Sequence, residues 1–128
     1  MSIPTKPDVL DATKGMLNKD LYVVTTTPNG DMGAVMENLK EHLEFLVELE
    51  KQGILFGAGP FWADDEHTWH GEGMIILRAD NLEAARKLAA ADPMHSSGAR
   101  SFTVRAWMLN EGSITIKVGY AQGTRDVI

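Results

Sequence analysis

Hydrophobic positions along this chain change period several times, and each change marks an element. Residues 21–27 (LYVVTTT) are dense in β-branched and aromatic side chains and run into Pro28-Asn29-Gly30, a pattern that predicts a strand closed by a turn. Over residues 32–52 the apolar positions Met36, Leu39, Leu43, Leu46, Val47 and Leu49 recur at steps of three and four, which predicts an amphipathic helix ended by Gly53. Its other face carries Glu37, Lys40, Glu41, Glu44, Glu48 and Lys51 and is solvated. The short apolar run 54–58, bounded by Gly53 and Gly59-Pro60, suits a buried strand, and residues 74–77 give a third. Between them, residues 61–71 (FWADDEHTWHG) keep no period and form a connecting loop.

Asp80 or Asn81 is a natural N-cap for residues 82–91, whose Ala, Leu, Glu, Lys and Arg favour helix until Pro93 stops it. Residues 101–109 then alternate, with Phe102, Val104, Ala106 and Met108 on one face and Thr103, Arg105 and Trp107 on the other. After the turn at Asn110-Glu111-Gly112, residues 113–120 (SITIKVGY) read as a last strand, and 121–128 as a tail. Residues 1–18 show no sustained period and read as a leader draped over the surface or over a partner. The order β, α, β, β, α, β with an extra β is the α+β, ferredoxin-like split βαβ arrangement with a C-terminal addition. Both helices fall on one face of its antiparallel sheet. The first, third and fourth strands carry apolar residues on both alternations, so a second subunit is expected on the bare face, in a homodimer or a higher homo-oligomer.

With 128 residues, 44% hydrophobic and 23% charged, the chain fits one domain, its core at 21–109 between a leader (1–20) and an extension (110–128). The absence of cysteine excludes disulfide frameworks, thiolate nucleophiles and Cys-ligated metals. A net charge of -6 with scattered cations argues against nucleic acid, and no apolar run approaches the ~20 residues of a membrane span. Residues 1–10 lack the apolar region of a secretory signal, so a cytoplasmic location is expected. Small molecules and other protein chains remain as partners.

His42 falls on or beside the apolar stripe Leu39, Leu46, Leu49, where an imidazole needs a hydrogen-bond partner. It is either a structural histidine satisfied by a backbone carbonyl or a general acid–base group working near its own pKa. Asp92 ends the second helix, where the dipole disfavours a carboxylate, so something should offset that cost. It serves either as a helix stop before Pro93 or as the acceptor that orients His42 and stabilises its imidazolium. Gly57-Ala58-Gly59-Pro60 lets backbone approach a ligand but matches neither a phosphate loop nor a dinucleotide fingerprint. His67 and His70, among Asp64, Asp65, Glu66 and Glu72, have ligand types for a divalent ion, although a solvated acidic edge explains them as well. Trp62, Trp69 and Trp107 are core filler or pocket walls. Arg105, sharing an alternation with Trp107, offers a receptor for a carboxylate or phenolate, or else a surface ion pair. Gly59, Pro60, His95, Arg105 and Trp107 are thus the candidate substrate-binding residues, with neither a cofactor nor a metal implied.

Four segments in order, EHLEFLVELEKQGILFGAGP (41–60), GEGMIIL (71–77), LEAARKLAAADP (82–93) and FTVRAW (102–107), resemble the YciI-like family of the dimeric α/β-barrel superfamily. The resemblance implies that His42 and Asp92 form a His-Asp dyad in a cavity between helices and sheet. One branch of such proteins is a dehydrochlorinase acting on a chlorinated hydroxyhydroquinone. The superfamily also holds muconolactone isomerases, haem-degrading and cofactor-free oxygenases and stress-responsive dimers, so fold alone decides no reaction. The chain departs from the compact pattern before Leu21, over residues 62–70 and after Leu109. Two functions are therefore expected to compete. One is a cofactor-independent enzyme moving a proton on a small cyclic or aromatic substrate; the other is a non-catalytic dimer binding a small molecule or a partner.

Overall fold

A computed structural model describes residues 2–128, and Met1 lies outside the described residues. In chain order the elements are α1 (Lys6–Ala12), β1 (Lys19–Pro28), α2 (Met32–Lys51), β2 (Leu55–Pro60), β3 (Gly73–Leu77), α3 (Leu82–Ala90), α4 (Pro93–Ser96), β4 (Arg100–Leu109), β5 (Ile116–Val118) and β6 (Arg125–Val127). They form two compact units. One is residues 20–108, and the other comprises the chain's ends, up to Lys19 and from Leu109.

The larger unit is an α+β fold of the ferredoxin-like type, with strand order β2-β3-β1-β4 and β3 antiparallel to both neighbours. Asp31 starts α2 by accepting the Gly33 N–H, and Gly53, at φ 74°, stands just beyond the C-cap where a left-handed residue is needed. Directly opposed residues share a face of a sheet, so the register puts Pro60, Gly73 and Thr26 in one row across three strands and Ala58, Ile75 and Val24 in the next. Ile75 and Val24 belong to the core under α2 and α3, together with Leu49, Leu77 and Ala89. Both rows therefore face the helices.

A second core of Val35, Met94 and Ala99 lies by the first turns of α2, with Trp69 packed on it. Trp69 belongs to the connection between β2 and β3, which its own hydrogen bonds hold in place. Phe61 N–H donates to Glu72 O, Ala63 N–H to Thr68 O, and the Trp69 indole N–H to Glu72 O at 2.8 Å. Gly71 permits the return: its φ is +81°, and a Cβ there would lie 2.6 Å from Pro28 Cγ.

The chain ends differ from expectation. Within the leader, residues 6–12 form a helix that no period in the sequence marks. The Asp8 carboxylate accepts the Thr5 N–H and hydroxyl, and Pro7 sits in the first turn. No residue of this helix is buried, so it has no apolar stripe for periodicity to reveal. The expected last strand shrinks to Ile116–Val118, which pairs with β6 in a separate two-stranded sheet and does not extend the main one.

Candidate active site

The buried positions of α2 are Val35, His42 and Leu49, spaced seven residues or about two turns apart, and the histidine takes the middle place. His42 is 7% exposed. Its Nδ1 lies 2.9 Å and 2.8 Å from the two carboxylate oxygens of Asp92. A carboxylate only accepts, so Nδ1 donates and the basic lone pair of the neutral ring is on Nε2. Nε2 makes no hydrogen bond among the described residues, and the ring lines an open cavity.

Asp92 answers the electrostatic objection raised by its position after α3. It is the N-cap of α4, accepting the Met94 N–H at 2.9 Å, and Pro93 fills the first helical position, where no N–H is needed. Its carboxylate thus sits against the start of one short helix as well as beyond the end of another. α4 packs against α2, which brings together two residues fifty positions apart.

The cavity has a volume of about 380 Å³. Its sheet side is the row Thr26, Gly73, Pro60 with Ala58, Gly59, Met74 and Ile75; Leu39, His42, Leu43 and Leu46 of α2 face them. Gly73 keeps this floor low, since a Cβ there would press on Gly59 O at 3.1 Å and stand beside Thr26. Trp62, Trp69 and Glu72 complete it from the loop, and Arg100 from the start of β4. An apolar hollow with a few convergent polar groups is the usual form of a small-ligand site.

Arg100 was not evident as a candidate in the sequence. It is 4% exposed, its guanidinium carbon lies 5.7 Å from the centre of the Trp69 ring, and its Nε has no hydrogen-bond partner. Burial lowers its pKa from the ordinary value while the charge of Asp92 opposes the shift. Its signal was parity: Arg100 shares the alternation of Phe102 and Val104, which pack on the helix-side core. Arg105 and Trp107 have the opposite parity, are exposed and are not among the residues lining the cavity.

Gly59 and Pro60 do line it. His95 stands one layer behind. Its Nδ1 donates to Ala89 O at 2.6 Å, its Nε2 accepts the Thr26 hydroxyl at 2.8 Å, and its ring lies 4.3 Å from that of Phe102. Burial pushes its pKa down, with the Ala89 bond opposing, so the neutral ring is favoured. Among the described residues no three metal-ligating side chains come together, at His67 and His70 or elsewhere. Asp65 instead accepts the Thr68 hydroxyl and the N–H groups of Thr68 and His67, which holds its pKa down to about 2. No described helix is long and apolar enough to cross a membrane.

Comparison with known proteins agrees with this fold. The chain is 33% identical over 75 residues, 59% of its length, to the uncharacterized protein YjpA of Bacillus subtilis (strain 168), covering 81% of that protein. Among solved structures it is similar to the 5-chloro-2-hydroxyhydroquinone dehydrochlorinase TftG of Burkholderia phenoliruptrix AC1100, in complex with 2,5-dihydroxybenzoquinone. The TM-score is 0.59 at 18% identity, over 68% of this chain and 92% of that one. Residues 21–108 match the family model of the YCII-related domain, and the chain therefore belongs to the YCII-related family.

Proposed function

We propose that this protein is a cofactor-independent enzyme in which His42, oriented by Asp92, moves a proton on a small cyclic or aromatic substrate during an elimination or isomerisation. The observation that carries the reading is the buried imidazole with Nδ1 fixed on a carboxylate and Nε2 left to the cavity. Nε2 takes a proton from a ring carbon, and the imidazolium so formed is stabilised by Asp92. The C–H electron pair then moves into the ring. In an elimination it expels a leaving anion and the proton passes to solvent; in an isomerisation His42 returns the proton to another atom. General-base catalysis of this kind contributes typically about 10²–10⁴-fold. An apolar cavity of ~150 Å³ accepts benzene, so about 380 Å³ has room for a substituted single ring. Family membership and the fold likeness to a dehydrochlorinase support an enzyme.

The working form we propose is a homodimer joined through the sheet face opposite the helices. Phe56, Met74 and Ile76 border a hollow of about 330 Å³ beside β2 and β3, and Trp107 is 42% exposed. Such an apolar surface favours a partner.

The test is a mass-spectrometric screen of chlorinated and unchlorinated hydroxyquinols, lactones and related cyclic acids, with His42→Ala and Asp92→Asn in parallel. Turnover by the native protein that both variants lose is expected. Turnover that both variants retain would overturn the mechanism.

A further inference from the structure

The cavity contains a buried cation to which no acceptor of the chain is bonded. Arg100 forms no ion pair and no side-chain hydrogen bond among the described residues, although it is 96% buried by its 4% exposure. A guanidinium carries five donors and stays charged, so burying one without acceptors is costly unless something else supplies them. Asp92 is near enough to act on it through space, but the Asp92 oxygens are engaged by His42 Nδ1 and Met94 N–H. Glu72 is exposed and also lines the cavity without pairing with Arg100. Trp69 holds the guanidinium against its ring while its own N–H is tied to Glu72 O. Apart from Arg100 and His42, the lining is mainly apolar, so an anion entering there loses water and finds one fixed cation.

We infer that Arg100 anchors an ionised oxygen of the ligand, so that the cavity takes small cyclic phenolates, enolates or carboxylates in preference to their neutral analogues. The inference deepens the reading of this cavity as a substrate site and names the substrate class. It also gives the proton transfer a direction. As His42 removes a ring proton, electron density moves toward the oxygen held by Arg100, where a planar cation stabilises it. Arg100 is a substrate-anchoring residue in this scheme, and His42 remains the base.

Binding decides the matter without turnover. Isothermal titration of the native protein would compare benzoate with benzamide, and 2,4-dinitrophenolate with its neutral methyl ether. Each anion is expected to bind at least ~10-fold more tightly than its neutral partner. Arg100→Gln should bring both ratios to within about twofold, while His42→Ala should keep the preference. Arg100→Lys, retaining charge without the fork, should weaken the anions at least ~3-fold and leave the neutral probes unchanged. Neutral probes bound as tightly as anions, no binding by any probe, or a preference that survives Arg100→Gln would each overturn the assignment. So would equal weakening of anions and neutral probes in Arg100→Lys, which also decides the case if Arg100→Gln does not fold. An Arg100-dependent preference in a protein whose turnover ignores His42 would refute the acid–base reading alone.

Discussion

His42 Nδ1 and the Asp92 carboxylate meet at 2.8 Å in the interior, although they lie fifty positions apart, one within α2 and the other capping α4. Asp92 makes two bonds at once, one orienting the imidazole and one capping α4. Asp92→Asn keeps the size of the side chain and the cap acceptor but loses the negative charge. If the pair works as an acid–base unit, kcat should fall on the order of 10²–10⁴-fold with KM changed only a few-fold, as steady-state kinetics would read. Asp92→Ala removes both bonds and should destabilise by about 3–5 kcal/mol in chemical denaturation, since breaking a buried pair leaves its partner uncompensated.

His95 gives the fold a dependence on pH. Its folded pKa lies below 6.5, the ordinary value, chiefly through burial, with the Ala89 bond and the charge of Asp92 opposing. A depressed folded pKa means that the unfolded chain takes the proton first as pH falls. The contribution is therefore fully present above pH 6.5 and is lost between there and the folded pKa. The Tm should drop between about pH 8 and about pH 5.5, and in His95→Gln that drop should be smaller. An unchanged slope in the variant would remove His95 as the cause.

The hydrophobic pattern made His42 legible because a polar residue interrupting a 20-residue stripe stands out. Asp92 was visible as a residue but not as a cap, since four-residue α4 is too short to show any period. Arg100 stayed hidden for a related reason. It opens β4 directly after a turn, and alternation counted from Ser101 omits the single inward position before Phe102. Arg105 shares a face with Trp107, but that face is the one away from the helices. At the chain ends burial was lacking: every residue of β5 and β6 is exposed, so only local pairing and turns shape them.

Gly71 joins loop geometry to the cavity wall. Its backbone is in the left-handed region, and an added Cβ would lie 2.6 Å from Pro28 Cγ and 2.7 Å from Met32 Sδ. Gly71→Ala should cost about 1–3 kcal/mol, measured as a lower urea midpoint at unchanged m-value. Because Trp69 stands two residues away and lines the cavity, benzoate affinity should fall in the same variant.

The sheet face away from the helices gives the last prediction. The pairing of β3 with β1 sets Ile76 opposite Val23 and Met74 opposite Thr25, on the face opposite the core residues Ile75 and Leu77. β3 lies between β2 and β1, so its backbone bonds are complete and its outward side chains offer only apolar contact. A second copy related by a twofold axis would bury this surface against itself. Ile76→Asp then places two like charges near that axis, where desolvation and repulsion act together. Sedimentation should find the native protein dimeric at micromolar concentration and the variant monomeric, with the main sheet preserved by circular dichroism. Native protein that sediments as a monomer would reject this interface. A dimer unaffected by Ile76→Asp would place the contact elsewhere, with Met36, Leu43 and Val47 of α2, each about half exposed, as the next apolar surface to substitute.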